Sequence, residues 1–154
     1  MQYAIRTEQV NPIPTAVVRR QARVNELSRV IPEACGTVWN AIKAAGVKGG
    51  RHVAVYRKNP DGQFDLEIGA EVEGPFAGQG EVIGSALPAG EVATTTHLGP
   101  YNKLGEAHQA VQDWCKANNR TPVEPCWEVY GHWVDEWNND PSKIRTDIYY
   151  LLKS

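Results

Sequence analysis

The sequence lacks the features of several protein classes. No apolar run approaches the ~20 residues of a membrane span, and Met1–Thr7 has neither the basic nor the apolar region of a secretory signal. The formal net charge is only -2, from 16 Lys and Arg against 18 Asp and Glu, so no basic face for nucleic acid is expected. These absences predict a cytoplasmic protein with no membrane segment and no direct nucleic-acid partner.

Motifs for metals, cofactors and common catalytic centres are also missing. The three cysteines, Cys35, Cys115 and Cys126, form no CxxC pair, which favours buried thiols in a reducing compartment. The four histidines lack the spacing of metal ligands, and no Walker, Rossmann, GxSxG or HExxH pattern occurs. We therefore expect no metal and no cofactor, and structural roles are the simplest interpretation of the histidines.

Phenylalanine is scarce, whereas the aromatic residues that carry a polar group are frequent. The chain has two Phe but five Trp and six Tyr. Rings with a polar end suit a partly hydrated cavity better than a dry core. With 154 residues and 42% hydrophobic content, the chain can form a core of its own, and the aromatic composition indicates a ligand pocket.

Hydrophobic periodicity and turn residues predict two similar halves. In the first half, strands are predicted at 3–10, 15–22, 52–57 and 64–72, with a helix that starts near Ser28–Pro32 and ends before Gly46. In the second half, strands are predicted at 81–87, 91–98, 126–133 and 143–152, with a helix at 101–118. Asn59-Pro60-Asp61-Gly62 predicts the turn of the first hairpin.

The two halves share a βαββ order, and Trp39 in the first helix corresponds to Trp114 in the second. We therefore predict an α+β fold of duplicated βαββ units with pseudo-twofold symmetry, an antiparallel sheet and two main helices around a central groove. Residues 1–154 are predicted to form one domain, with repeats at about 2–73 and 80–153. The Gly- and Pro-rich segment 74–80 is the boundary between them.

Three stretches of the second half resemble the GyrI-like small-molecule-binding family, whose domain is also the effector-binding part of some AraC-type and MerR-type regulators. The resemblance covers about Gln2 to Leu152, and the chain resembles the stand-alone form because no helix-turn-helix segment precedes the domain. The three stretches are His97-Leu98-Gly99-Pro100-Tyr101, Pro125-Cys126-Trp127-Glu128-Val129-Tyr130 followed by Asp140-Pro141, and Thr146-Asp147-Ile148.

The resemblance implies a pocket for hydrophobic, often cationic, aromatic compounds, with a central acidic residue that matches Glu128. A carboxylate in a low-dielectric groove is costly unless a cation or several donors meet it, and a planar cation could also stack on aromatic faces. Strand alternation predicts that Glu128, Tyr130 and His132 point one way, and Trp127, Val129 and Trp133 the other. Ile148 is assigned to the core that the helices cover. One shared polar-aromatic surface is predicted to carry Tyr56, Glu67, Glu128, Tyr130 and Tyr149, with Trp39 and Tyr101 closing it from the helices. The candidate ligand-binding residues are Trp39, Tyr56, Glu67, His97, Tyr101, Trp127, Glu128, Tyr130 and Tyr149.

Two further functions remain open besides the binding or sequestration of a drug or toxin. Some stand-alone members of the family hydrolyse cyclopropane-bearing DNA-alkylating natural products, and Trp127-Glu128 matches the Trp-Glu pair implicated there. Glu128 would then be the general base, and Tyr130 or Tyr149 would donate a hydrogen bond. The third possibility is a protein–protein modulator of DNA gyrase, for which the sequence offers no support.

Overall fold

The computed structural model describes residues 3–154, so the predicted start of the first repeat at Gln2 lies outside the described residues. Its elements follow the predicted order. The strands are β1 (Arg6–Val10), β2 (Ile13–Ala22), β3 (Gly49–Lys58), β4 (Phe64–Val72), β5 (Ile83–Leu87), β6 (Gly90–Leu98), β7 (Pro122–Tyr130) and β8 (Arg145–Leu152). The helices are α1 (Leu27–Ala44), α2 (Leu104–Ala117) and the short α3 (Glu136–Asn139).

The described chain divides into two compact units. The N-terminal unit, Pro12–Pro88, holds an antiparallel sheet in the order β3-β4-β2-β5 together with α1. The C-terminal unit, residues 3–11 and 89–154, holds an antiparallel sheet in the order β1-β6-β8-β7 together with α2 and α3. The predicted α+β class with antiparallel strands and two main helices is confirmed, and the central groove stays a prediction.

The first strand of each half pairs outside the half that contains it in the sequence. Strand β1 pairs with β6, and β5, which lies within the predicted second repeat, pairs with β2. The local sequence pattern predicts that a segment forms a strand, whereas contacts between residues distant in the sequence determine which strand it pairs with. Each compact unit therefore contains a β-α-β-β segment, as predicted, and a fourth strand, which is β5 in the N-terminal unit and β1 in the C-terminal unit.

Helix α2 covers one face of the C-terminal sheet. Leu104, Ala107, Val111 and Cys115 on the helix pack with residues of the sheet that include Ala93, Ile148, Tyr150 and Leu152. The spacing of the helical residues is the apolar stripe expected of an amphipathic helix. Ile148, Tyr150 and Leu152 are every second residue of β8 and therefore lie on one face of the strand. This is the face that α2 covers. In the described residues, no helix combines the length and apolar character that crossing a membrane requires.

Strands β2 and β4 approach closely at Gly69. A Cβ atom placed there would lie 1.8 Å from the carbonyl oxygen of Ala16, so one strand would have to move. We expect Gly69→Ala to lower the free energy of unfolding by about 1–3 kcal/mol. Gly36, in α1, has nothing within 4 Å of its Cβ position, so Gly36→Ala should raise it by about 0.4–1 kcal/mol. Urea unfolding of both variants tests this, and a stabilised Gly69→Ala would contradict it.

Candidate functional site

The site is centred on Glu128, a carboxylate in the interior of the C-terminal unit. Glu128 lies on β7 opposite Ile148 of β8, on the face that α2 covers, and is only 4% exposed. Its Oε2 atom is 2.6 Å from Nε2 of His108, and its Oε1 atom accepts a hydrogen bond of 2.5 Å from the hydroxyl of Tyr130. Two donors directed at the two oxygens fit an ionised carboxylate.

His108 connects Glu128 to a second tyrosine. It lies on the sheet-facing side of α2, one turn after Leu104, and its Nδ1 atom is 2.7 Å from the hydroxyl of Tyr150. Gln112, one turn further along α2, donates to the same hydroxyl at 3.0 Å. The result is a chain of hydrogen-bonded side chains that runs from Tyr130 through Glu128, His108 and Tyr150 to Gln112.

The proton positions in this chain follow from what each atom can donate. An ionised carboxylate only accepts, so Nε2 of His108 carries the hydrogen that lies towards Glu128. In the neutral ring Nδ1 then accepts, and Tyr150 donates to it while accepting from Gln112. Burial, with a smaller contribution from the charge of Cys126, raises the pKa of Tyr150. The phenol therefore keeps the proton that it donates to His108.

Aromatic rings lie beside the carboxylate. Tyr101, in the short 3-10 turn that precedes α2, meets Tyr130 edge to face with 5.8 Å between ring centroids, and it is 44% exposed. A Cβ atom at Gly131 would lie 3.0 Å from the indole of Trp137, which in turn packs edge to face on Trp133. The predicted closure of the site by Tyr101 stays a prediction, and the structure places that ring next to Tyr130.

Trp127 and Tyr149 lie on the opposite face of the C-terminal sheet from Glu128. They are directly paired across β7 and β8, and their rings stack at 5.4 Å with an interplanar angle of 10°. The single polar-aromatic surface predicted to include both Glu128 and Tyr149 is therefore divided between two faces. The reason is strand alternation, since Glu128 pairs with Ile148 and not with Tyr149.

Strand β7 also ends earlier than predicted. Its last residue is Tyr130, and the backbone N–H of Gly131 still donates to the carbonyl of Arg145 at 3.0 Å. His132 and Trp133 lie beyond the strand, so the predicted strand end at Trp133 is wrong. Strand alternation therefore does not determine the orientation of these two residues. The glycine after Tyr130 marks the point at which the chain leaves the sheet.

The candidates from the first half of the sequence belong to the N-terminal unit. Trp39 on α1 is 41% exposed and packs against the ring of His52 at 5.8 Å. Tyr56 on β3 is 8% exposed and meets Phe64 edge to face. Glu67 on β4 accepts a hydrogen bond from Ser85 at 2.7 Å and lies 3.5 Å from the guanidinium of Arg19. Their predicted role as ligand contacts stays a prediction.

His97 supports the turn that leads into α2. It is 1% exposed, and its Nε2 donates to the carbonyl of Pro100 at 3.1 Å. Its Nδ1 then accepts from the hydroxyl of Tyr3 at 2.9 Å. Both ring nitrogens thus have partners within the fold, which fits the structural role expected of the histidines better than its candidacy as a ligand contact.

The cysteines are free thiols, and burial raises the pKa of Cys126 and of Cys35 to about 11. Because the thiolate is the nucleophilic form, neither side chain has the character of a catalytic nucleophile. Within residues 3–154, no group of three His, Cys, Asp or Glu side chains is arranged to hold a metal ion.

Sequence reasoning missed His108, Tyr150 and Gln112 as parts of the site. One signal was present for His108, because it interrupts the apolar stripe of α2 between Leu104 and Val111. A polar ring at a sheet-facing position needs a polar partner on the sheet. No comparable signal distinguishes Tyr150 from its neighbour Tyr149, since only the register of β8 decides which of them faces α2.

Comparisons with known proteins agree with this architecture. The crystal structure of the EcmrR C-terminal domain has a TM-score of 0.81 at 20% identity, covering 100% of this chain and 99% of that one. The EcmrR–DNA complex determined by cryo-EM gives 0.80 at 19% identity, with 99% of this chain but 58% of that chain covered. The chain therefore spans little more than half the length of that protein.

A third solved structure, SAV2435 bound to tetraphenylphosphonium, has a TM-score of 0.68 at 14% identity and covers 100% of this chain and 95% of that one. No curated protein matches the chain. The model of the GyrI-like small molecule binding domain matches residues 3–153, which is almost the whole sequence. The chain thus belongs to the family of GyrI-like small molecule binding domains.

Proposed function

We propose that the Glu128 site binds lipophilic organic cations. The observation that carries this proposal is the 4% exposed carboxylate of Glu128, hydrogen-bonded at both oxygens by His108 and Tyr130. Withdrawing a carboxylate from water costs several kcal/mol, and hydrogen bonds from His108 and Tyr130 recover part of that cost. A ligand that carries a delocalised positive charge would be attracted to this carboxylate.

The rings near Glu128 favour an organic cation over a metal ion. Tyr101 and Tyr130 present an edge-to-face pair beside the carboxylate, and aromatic faces attract cations that shed their water easily. Small hydrated ions instead prefer several oxygen ligands. The tetraphenylphosphonium bound to SAV2435 is a lipophilic cation of this kind, and this similarity of fold supports the choice of that compound as a probe.

Replacing Glu128 by glutamine tests the role of the charge. The amide retains the shape of the side chain and removes the negative charge, so we expect affinity for tetraphenylphosphonium to fall by about 5- to 150-fold, or about 1–3 kcal/mol. Tryptophan fluorescence quenching or calorimetry would measure it. Affinity for neutral triphenylphosphine oxide should change much less, because that ligand gains nothing from the charge.

A matched control removes one negative charge from the surface of the same unit. Asp113 lies on α2, is exposed and accepts a hydrogen bond from Gln109. Asp113→Asn changes the net charge by the same amount as Glu128→Gln, but the field of an exposed charge is largely screened by salt. Equal losses of affinity in the two variants would mean that overall charge and not the buried site attracts the cation.

A hydrolase of strained electrophilic rings is the second candidate. The observation that favours it is the 2.6 Å contact between Glu128 and His108, because a carboxylate held by an imidazole is a positioned general base. The same carboxylate would accept a proton from a water molecule that attacks the ring. The two candidates differ in whether the bound compound leaves the protein chemically changed.

A further inference from the structure

Thr146 carries a buried hydroxyl that no contact of the fold uses. The residue lies on β8 and is 0% exposed, and its Oγ1 atom has no hydrogen-bond partner within residues 3–154. Buried hydroxyl groups are nearly always hydrogen-bonded, and one without a partner makes the folded state less stable. A methyl group in the same place would have no such cost, so the hydroxyl indicates a partner outside the chain.

Thr146 lies on the same face of the C-terminal sheet as Glu128. It is directly opposite Tyr130 on β7 and His97 on β6. Glu128 precedes Tyr130 by two residues on β7, so strand alternation directs both to this face. The hydroxyl of Tyr130 donates to Glu128 at 2.5 Å. The unpartnered hydroxyl of Thr146 is therefore next to a side chain that already belongs to the candidate site.

The turn that leads into α2 covers Thr146. Nε2 of His97 donates to the carbonyl of Pro100 at 3.1 Å, and the ring of the next residue, Tyr101, meets the ring of Tyr130 with 5.8 Å between centroids. His97 and Tyr130 flank Thr146 on the two neighbouring strands, so a turn that contacts both of them passes over Thr146. Because Pro100 and Tyr101 are exposed, a single layer of the protein separates the hydroxyl of Thr146 from solvent.

The polar side chains on either side of Thr146 have partners within the fold. Both ring nitrogens of His97 are hydrogen-bonded, and the hydroxyl of Tyr130 donates to Glu128. In folded proteins, a buried donor without an acceptor is rarer than a buried acceptor without a donor. We therefore expect the hydroxyl of Thr146 to donate to an acceptor that is not part of the chain.

We propose that Thr146 is a specificity-determining residue of this site, whose hydroxyl donates a hydrogen bond to an uncharged carbonyl-type oxygen of the ligand. The inference rests on the proposed function, the binding of a lipophilic cation at Glu128, and it adds a second feature to that ligand. The ligand enters between the rings of Tyr101 and Tyr130, where the covering layer is exposed. The site then selects cations that carry an oxygen acceptor over purely hydrocarbon cations of the same shape.

Thr94 provides a matched control for Thr146. It is also 0% exposed, and its Oγ1 atom also lacks a hydrogen-bond partner among the described residues. It lies on β6 directly opposite Tyr149, so its side chain is on the face of the sheet that is turned away from Glu128 and α2. Valine at either position replaces the hydroxyl by a methyl group of similar size.

Two phosphonium ions that differ at one position test the proposal. The (4-oxopentyl)triphenylphosphonium ion carries a ketone, and the (4-methylpentyl)triphenylphosphonium ion has a methyl group in place of the ketone oxygen. Side chains two residues apart on a strand are separated by about 7 Å, which the chain between charge and ketone spans. Calorimetric titration of the full chain gives the ratio of the two affinities. We expect Thr146→Val to lower the relative affinity for the ketone by about 3- to 10-fold, the contribution of one hydrogen bond, and Thr94→Val to leave the ratio unchanged.

Urea unfolding provides the second measurement. Each valine variant removes a buried hydroxyl that has no partner in the fold, so we expect both to unfold at a urea midpoint equal to or above that of the wild type. A lower midpoint for Thr146→Val, together with an unchanged affinity ratio, would mean that a buried water molecule bonds the hydroxyl to the rest of the fold. That result would overturn the inference.

The outcomes separate this inference from the proposed function. Glu128→Gln should weaken the binding of both phosphonium ions alike, because the two ions carry the same charge. If both ions bind but Thr146→Val has the affinity ratio of the wild type, the inference is overturned and the proposed function stands. An equal fall of the ratio in Thr94→Val would also overturn it. If neither ion binds to the wild type, the proposed function fails and this inference fails with it.

Discussion

Trp127→Ala is expected to lower the free energy of unfolding by about 3–5 kcal/mol. The indole is 2% exposed and stacks on Tyr149 with 5.4 Å between the ring centroids. Its removal leaves a large cavity and abolishes an aromatic contact worth about 0.5–1.5 kcal/mol beyond burial. Urea unfolding followed by circular dichroism would measure the loss as a lower midpoint at an unchanged slope.

Trp133→Ala is the matched control for Trp127→Ala. Trp133 lies in the segment between β7 and β8 and is 50% exposed, with its indole N–H bonded to Asn138 and its ring against Trp137. We expect its removal to cost about 1 kcal/mol or less, because little buried surface is lost. Equal destabilisation by the two substitutions would contradict the assignment of Trp127 to the interior.

The same pair of variants distinguishes a structural tryptophan from one that lines the ligand site. A ligand contact would be only lightly constrained by packing, so its removal would lower affinity and leave stability nearly intact. The structure places Trp127 on the face of β7 opposite Glu128, and the expected pattern is therefore the reverse. Trp127 is next to Glu128 in the sequence, but alternation directs the two side chains to different faces.

Period-two alternation correctly grouped Glu128 with Tyr130, because it depends only on the geometry of one strand. The structure places both side chains on the face of β7 that α2 covers, and Tyr130 hydrogen-bonds to Glu128. Assigning residues of two different strands to the same face was harder, because it requires the register between the strands. Ile148 was grouped with the apolar core and Tyr149 with Glu128, whereas Ile148 is the residue directly opposite Glu128. One face of this sheet carries both apolar side chains and the carboxylate of Glu128, which a pattern of polar and apolar residues cannot anticipate.

Contacts between segments that are distant in the sequence could not be predicted either. The segments of β1 and β5 were predicted as strands, but nothing in their sequence indicates that β1 pairs with β6 and β5 with β2. The contact between His108 and Glu128 has the same character, because it exists only once α2 lies across β7. The polar interruption of the α2 stripe showed that His108 needs a partner, without identifying it.

If the protein is a hydrolase, Glu128→Gln is expected to reduce the rate of ring opening by about 10²- to 10⁴-fold, the contribution of a positioned general base. In this reaction Glu128 takes a proton from water as the water oxygen bonds to a ring carbon. The electron pair of the broken carbon–carbon bond passes to the electron-withdrawing part of the substrate. A carboxylate accepts hydrogen bonds at about four positions, so it can bind His108, Tyr130 and a water molecule together.

Tyr130→Phe provides a graded comparison at the same site. The phenol donates to Oε1 of Glu128 at 2.5 Å, which orients the carboxylate and does not remove a proton from water. We expect a loss of about 10-fold, smaller than the ~10²- to 10⁴-fold loss of a base. The measurement is single-turnover conversion of a cyclopropane-bearing alkylator, with the ring-opened product identified by mass spectrometry, and Asp113→Asn should retain full activity.

Each outcome of this comparison assigns the role of Glu128. Compound that stays unchanged on the wild-type protein would make binding, and not hydrolysis, the activity of the site. Ring opening that survives Glu128→Gln within a few-fold would place the base elsewhere. The next candidate would be His108, because it contacts Glu128 itself. His108→Gln would then abolish turnover and leave the affinity for a neutral substrate unchanged.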